Sequence, residues 1–235
     1  MVELLVVIVV VVVLAAFFLP VLARMKAKSS KAPCQSNLKM IGIAYRTWEG
    51  DYGDKYPQEL IASGSTNFPL GSDPTGYILN HPLPTNTAIG VSLPYGYAYQ
   101  CYQVMSNELN NPKVLLCPSD ERPTGSIPSD FINNPPGNTA AFNNSTVSYF
   151  AGADADESRP TMLLGGDRNL LMNRMGVVTG LVVYGTNTPI GWSAKMHNCK
   201  GNILFADGSV QRTTPSSLQT FLSNTRTNVN RLAIP

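Results

Sequence analysis

His197 and Asp207 stand with nine residues between them in HNCKGNILFADGS, and their types invite a chemical reading. A histidine and a carboxylate can serve as a general base and the group that orients it, but acyl transfer also needs a third, activated nucleophile. The chain has only two histidines, His81 and His197, and contains no nucleophile elbow, no HExxH pair and no phosphate loop. The residues therefore predict no catalytic site and no enzyme. GNILFADGSVQRTT reads as two apolar strand stretches around Asp207 and Gly208, a dipeptide suited to a tight hairpin because glycine accepts positive φ. His197 is expected to bond across this hairpin and orient the last sheet, with Asp207 shaping its own turn.

Three acids, Asp154, Asp156 and Glu157 in GADADES, are close enough in sequence to offer oxygen ligands to a hard cation, which makes calcium the one cofactor candidate. They lack the loop pattern of an EF-hand, and a solvated acidic turn is the competing reading. Asn143 and Asn144 each begin an N-x-S/T sequon, a weak signal for a glycan in a surface loop. Four cysteines, Cys34, Cys101, Cys117 and Cys199, are widely spaced, with no CxxC pair, haem motif or zinc spacing. Two disulfides formed in an oxidising compartment, or free buried thiols, both account for them, and three pairings are open. With 14% charged residues and a net charge of +2, the chain has no basic field to attract nucleic acid.

The elements that carry these residues begin with an apolar run. Leu4 to Ala23 holds no charge, and sixteen of its residues are Leu, Ile, Val or Phe. As a helix rising about 1.5 Å per residue it would cover about 30 Å, the hydrocarbon thickness of a bilayer. A removable secretory signal would be shorter and begin with basic residues, whereas this run begins at Glu3. An acid at the edge of hydrocarbon either snorkels to the headgroups or finds a cation. Arg24, Lys26, Lys28 and Lys31 follow the run; taken alone they would hold that side in the cytoplasm. The loop-rich, cysteine-bearing remainder argues instead for an extracytoplasmic head.

Beyond Pro33, apolar residues at Leu38, Ile41, Tyr45, Trp48 and Tyr52 recur at spacings of three and four, which predicts an amphipathic helix over 34–52 ended by Gly53 and Pro57. The stripe should form the floor on which a sheet packs. From Gln58 to Ser148 the chain is rich in Pro, Gly, Asn, Ser and Thr, which predicts long ordered loops and brief strands. YGYAYQCYQV and Val114 to Cys117 are the expected strands. The fold expected is α+β, with a helical region over 1–53 (apolar segment 4–23, amphipathic part 34–52) and a loop-rich head over 54–235 built on an antiparallel sheet.

VELLVVIVVVVVLAAFFLPVLA resembles the first helix of type IV pilins and type II secretion pseudopilins, and NLKMIGIAYRTWEGDYGDKYP is similar to their helix-to-loop passage. The H-x9-DG pattern, with NPKVLLCPSD, SYFAGADADESRPTMLLGGDRN and the terminal NRLAIP, resembles a family of pilin-like proteins that join a prepilin N-terminus to such a C-terminal region. The family acid usually lies five residues into the mature chain, after a Phe and a polar residue; here only Met1 and Val2 precede Glu3, and the basic leader is missing. The resemblance implies a structural subunit that polymerises with itself through heterologous helical contacts, with Glu3 pairing to the N-terminal amine of a neighbour, at Met1 in this sequence. It further implies that Pro20 loosens the helix, that prepilin peptidase and inner-membrane assembly machinery are partners, and that Cys34 pairs with Cys117, leaving Cys101 with Cys199. Major pseudopilins hold calcium in a C-terminal loop, though not at these positions in particular. The chain would be single-pass in the inner membrane before assembly and part of an extracellular filament or periplasmic pseudopilus afterwards. Pro20 and Pro33 predict local unwinding in the assembled form. The alternatives are a short secretion pseudopilus component, a membrane-tethered extracytoplasmic binding module that never polymerises, and a tethered enzyme, which would lose activity on His197→Ala without unfolding.

Overall fold

The computed structural model describes residues 2–29, 32–58, 98–122, 127–132, 141–173 and 176–235. Met1, Lys31 and His81 lie outside the described residues, as do the side chains from Phe17 to Ser29. The chain is a mixed helix-and-sheet protein whose centre is an antiparallel sheet of six strands.

Helix α1 (Val2–Ser29) carries Glu3 in its first turn, where the partial positive charge of the unpaired N–H groups favours an acid. Its backbone continues through Pro20, although the unwinding expected there concerns an assembled form. Helix α2 (Ala32–Asp51) has Pro33 in its first turn, where a missing N–H breaks no helical hydrogen bond. The expected stripe is buried as a line: Leu38, Ile41, Tyr45 and Trp48 are all at most 1% exposed. Trp48 stacks on Tyr52 with ring centroids 4.0 Å apart, and Tyr45 meets Tyr56 edge-on at 5.4 Å. The helix ends where Gly53 takes φ 69° and the Asp54 N–H returns to the Glu49 carbonyl at 3.1 Å, a left-handed cap that glycine allows at little cost.

Two short helices, α3 (Ala98–Val104) and α4 (Ser106–Leu109), and a 3₁₀ turn (Pro112–Leu115) follow. Both strands expected here are corrected. Ala98, Cys101, Tyr102 and Met105 are buried at helical spacing, so the short aromatic run obeys a period near 3.6 and not 2, and residues 95–97 lie outside the described residues. Val114 belongs to the 3₁₀ turn because Pro112 opens it and the Asn111 side chain accepts the Lys113 N–H at 3.0 Å.

The strands are β1 (Tyr149–Gly152), β2 (Leu163–Asp167), β3 (Leu170–Met172), β4 (Gly180–Gly185), β5 (Ile190–Trp192), β6 (Gly201–Phe205), β7 (Val210–Thr213) and β8 (Val229–Ile234), with helix α5 (Pro215–Asn224) between the last two. The sheet runs β4-β8-β1-β2-β6-β7, and β3 pairs with β5 in a separate ribbon. Side chains alternate between two cores, as strand geometry requires. Tyr149, Ala151, Leu164, Leu204 and Ala233 face the core containing α2 and α3. Phe150, Leu163, Ile203, Phe205, Leu232 and Ile234 face the core containing α5 and the ribbon. With both faces covered, the central strands β1, β2 and β6 are buried along their whole length. Close approaches need glycine at Gly152, where a Cβ would run into the Leu163 carbonyl oxygen, and at Gly201, where one would come within 2.5 Å of the Trp192 ring. The expected hairpin is present as β6 and β7, with Gly208 at φ 80° and Asp207 Oδ1 accepting the Ser209 N–H at 2.8 Å.

Candidate functional site

The head's buried polar centre is assembled from distant segments. Cys34, on the first turns of α2, is bonded to Cys117, which follows the 3₁₀ turn, across 83 residues of sequence. The Cys117 sulfur lies 3.3 Å from His197 Nε2, and the same nitrogen lies 3.4 Å from Asp167 Oδ2 at the end of β2. Asp167 Oδ2 accepts the backbone N–H and the side-chain amide of Asn202 at 2.6 and 2.8 Å. Its carboxyl is wholly buried, and burial pushes its pKa up to about 7 against the Asn202 donors, which favour the ion.

His197 is held by its loop. Asn169 donates to the carbonyls of Ser193 and Met196 at 3.1 and 3.2 Å. His197, Asn198 and Cys199 take φ of 50°, 53° and 56°, three successive left-handed residues, a backbone that costs roughly 1 kcal/mol or more per residue and requires support from neighbours. His197 thus meets Asp167 and Cys117, while Asp207 sits exposed at the hairpin tip.

Beside this centre, Asp120 accepts from Arg168 Nε at 2.7 Å and Nη2 at 2.5 Å, from the Arg122 N–H at 3.1 Å and from Ser148 Oγ at 2.9 Å. Burial alone would raise its pKa, but the Arg168 hydrogen bond, then Arg122, hold the carboxyl well below the usual carboxylate range. These bonds clamp the Cys117 loop to the edges of β1 and β2. The arrangement has the ingredients of a rigid core: the Cys117 sulfur is bonded to Cys34, so it is no free nucleophile beside His197.

The remaining expected residues separate. The disulfide implied by resemblance between Cys34 and Cys117 is present, but Cys101 and Cys199 are free, which corrects the second pairing. Cys101 is enclosed in the apolar core on α3, where burial pushes its thiol up to about 12, whereas Cys199 is exposed. Asp154 is taken up by Arg231, accepting its N–H and Nε at 2.7 Å each, and Asp156 pairs with Arg159 at 3.3 Å. Glu157 instead joins Glu49 and Asp54, so the three neighbouring acids do not converge. Asn143 caps a 3₁₀ turn through the Ser145 N–H at 2.9 Å, and Asn144 Oδ1 accepts the Tyr99 N–H at 3.2 Å, so the side-chain oxygens of both sequon asparagines are engaged. Asp120, Arg168, Asp167, Glu49 and Asp54 were not singled out by sequence; a charged pair directly after the apolar MLLGG is the one local hint of Asp167 and Arg168.

Helix α1 offers a different kind of surface. Val2, Leu4, every residue from Val6 to Val13, and Leu14 are between 49 and 76% exposed. Among the described residues no helix is long and apolar enough to cross a membrane. No family model matches the chain, and no curated protein or solved structure matches it.

Proposed function

We propose that the chain is a structural subunit of pilin or pseudopilin type, polymerising into a helical filament through its N-terminal apolar helix. The observation that carries this reading is the exposed face of α1, apolar on all sides from Val6 to Leu14. A helix of that character is stable only when lipid or other helices cover it. In sequence the apolar run continues to Ala23, which gives a span able to wait in a membrane and then move into a bundle of its own kind. Valine-rich helices would associate there through side-chain packing, since lipid supplies little hydrophobic drive between them. One copy would use unlike surfaces on successive neighbours, a heterologous contact that need not close and so extends as a filament. Glu3, exposed near the start of α1, would pair with a neighbour's amine and set the axial register in this reading. The head, with its disulfide and doubly covered sheet, forms the coat. Prepilin peptidase and an inner-membrane assembly machine are the partners this reading requires.

The test compares wild type with Glu3→Ala in the producing cells. The expected result is wild-type chain in the fraction sheared from the cell surface, and folded Glu3→Ala chain retained in the membrane. Equal yields in the sheared fraction would refute the role of Glu3. Wild-type chain confined to the membrane as a monomer would refute polymerisation.

A further inference from the structure

We propose that Glu49, Asp54 and Glu157 form a binding site for a hard divalent cation, calcium, that ties the end of α2 to the turn after β1. Glu49 lies on the last turn of α2. The left-handed cap at Gly53 folds the chain back, with the Asp54 N–H on the Glu49 carbonyl at 3.1 Å, and so brings Asp54 over Glu49. Glu157 comes from the opposite side, in a turn anchored by Gln58 Nε2 on the Ala155 carbonyl at 3.4 Å. One carboxylate oxygen from each residue lies within 4.8 Å of one from each of the others.

Three carboxylates brought from separate segments suit calcium, which takes roughly six to eight oxygens in flexible geometry, better than magnesium, which demands a near-ideal octahedron and keeps several waters. An all-oxygen donor set also favours calcium over zinc or copper, which take imidazole or thiolate. A second observation is independent of the clustering. Glu49 is only 6% exposed, yet its Oε2 is buried with no hydrogen-bond partner among the described residues. A buried carboxylate oxygen without a donor is costly, and a coordinated cation removes that cost. The neighbouring acids are committed elsewhere, Asp154 to Arg231 and Asp156 to Arg159, so Glu157 is the acid of its turn that faces Glu49. Arg46, on the same helix, is the positive group whose charge reaches Glu49. The site differs in its residues from the run of three acids read in the sequence, and it stands whether or not the chain polymerises.

The experiment uses the full chain, purified in detergent without divalent ions. Calcium chloride is titrated to about 10 mM, above the millimolar affinities of extracellular calcium modules, while thermal unfolding is followed. Terbium luminescence, excited through the aromatic rings around Trp48, gives a second readout that calcium should displace. The expected result is a melting temperature that rises with calcium, a smaller response to magnesium, and at least about a tenfold loss of affinity in Glu157→Gln, since even supporting residues of metal sites cost about 10- to 100-fold. Asp156→Asn should bind as wild type does. Asp54→Asn, at an exposed position with φ 59° that asparagine tolerates, repeats the test should Glu157→Gln unfold. No calcium response in the wild type, an undiminished response in Glu157→Gln or Asp54→Asn, or an equal response to magnesium would overturn the proposal.

Discussion

Replacing Asp120 by asparagine should be among the most damaging single changes in the head. The Asp120 side chain is 1% exposed and that of Arg168 6%, so the amide would strand a guanidinium in the interior. Breaking a buried pair by removing one partner costs about 3–5 kcal/mol. The Arg122 side chain is 25% exposed, and its share should add less than about 1 kcal/mol. For a chain of this size each kcal/mol moves the melting temperature by about 2–4 °C, so Asp120→Asn should melt roughly 10 °C lower. The measurement is thermal unfolding of wild type and variant in the same detergent, repeated across pH. Because the folded-state pKa of Asp120 is depressed, its contribution is complete above the unfolded value of 3.8 and drains away as pH falls through the folded value. The gap between the two proteins should therefore be full at neutral pH and narrow in strong acid. A difference at neutral pH below about 2 °C, which corresponds to less than about 1 kcal/mol, would refute the reasoning.

Asp167 should behave in the opposite sense. A carboxyl raised from 3.8 to about 7 penalises the folded state progressively as pH climbs through that window, by up to about 4 kcal/mol in all. Asp167→Asn should flatten the fall in stability between pH 5 and 8, read from urea midpoints, and parallel slopes for the two proteins would contradict this. Removing the Cys34–Cys117 bond releases a loop of 83 residues, which the chain-entropy relation values at about 4.5 kcal/mol. The Cys34→Ser/Cys117→Ser variant should accordingly show a strongly lowered denaturation midpoint; an unchanged midpoint would count against it. Native chain treated with iodoacetamide should gain one adduct, at Cys199, with Cys101 labelled only after unfolding. Mass spectrometry showing no free thiol would restore the second disulfide.

Regular local patterns made some of this architecture readable. The stripe from Leu38 to Trp48 needs only the helical repeat, and the β6–β7 hairpin needs only two apolar runs around Asp207–Gly208. Alternation failed where runs were short: Ala98 to Val104 fits a strand on paper, but Ala98, Cys101 and Tyr102 share one helical face and the Tyr102 hydroxyl donates to the Phe150 carbonyl at 2.8 Å. The polar centre was invisible because its members are ordinary residues brought together over long separations, Cys117 to His197 across 80 positions and Asp120 to Arg168 across 48. The acidic turn misled for a related reason. Adjacency in sequence said nothing of Arg231, which claims Asp154 from 77 residues away, or of Glu49, buried on a helix whose apolar stripe drew attention from its one unpartnered carboxylate oxygen.

The most direct test of the central proposal is cryo-electron microscopy of material sheared from intact cells, with the subunit identified by mass spectrometry and the helical density reconstructed. The account predicts filaments of this chain with α1 bundled along the axis, Glu3 facing a neighbouring N-terminus and the sheet-bearing head outside. Filaments whose axial density is not α1, or a chain found only as a membrane-bound monomer, would contradict it.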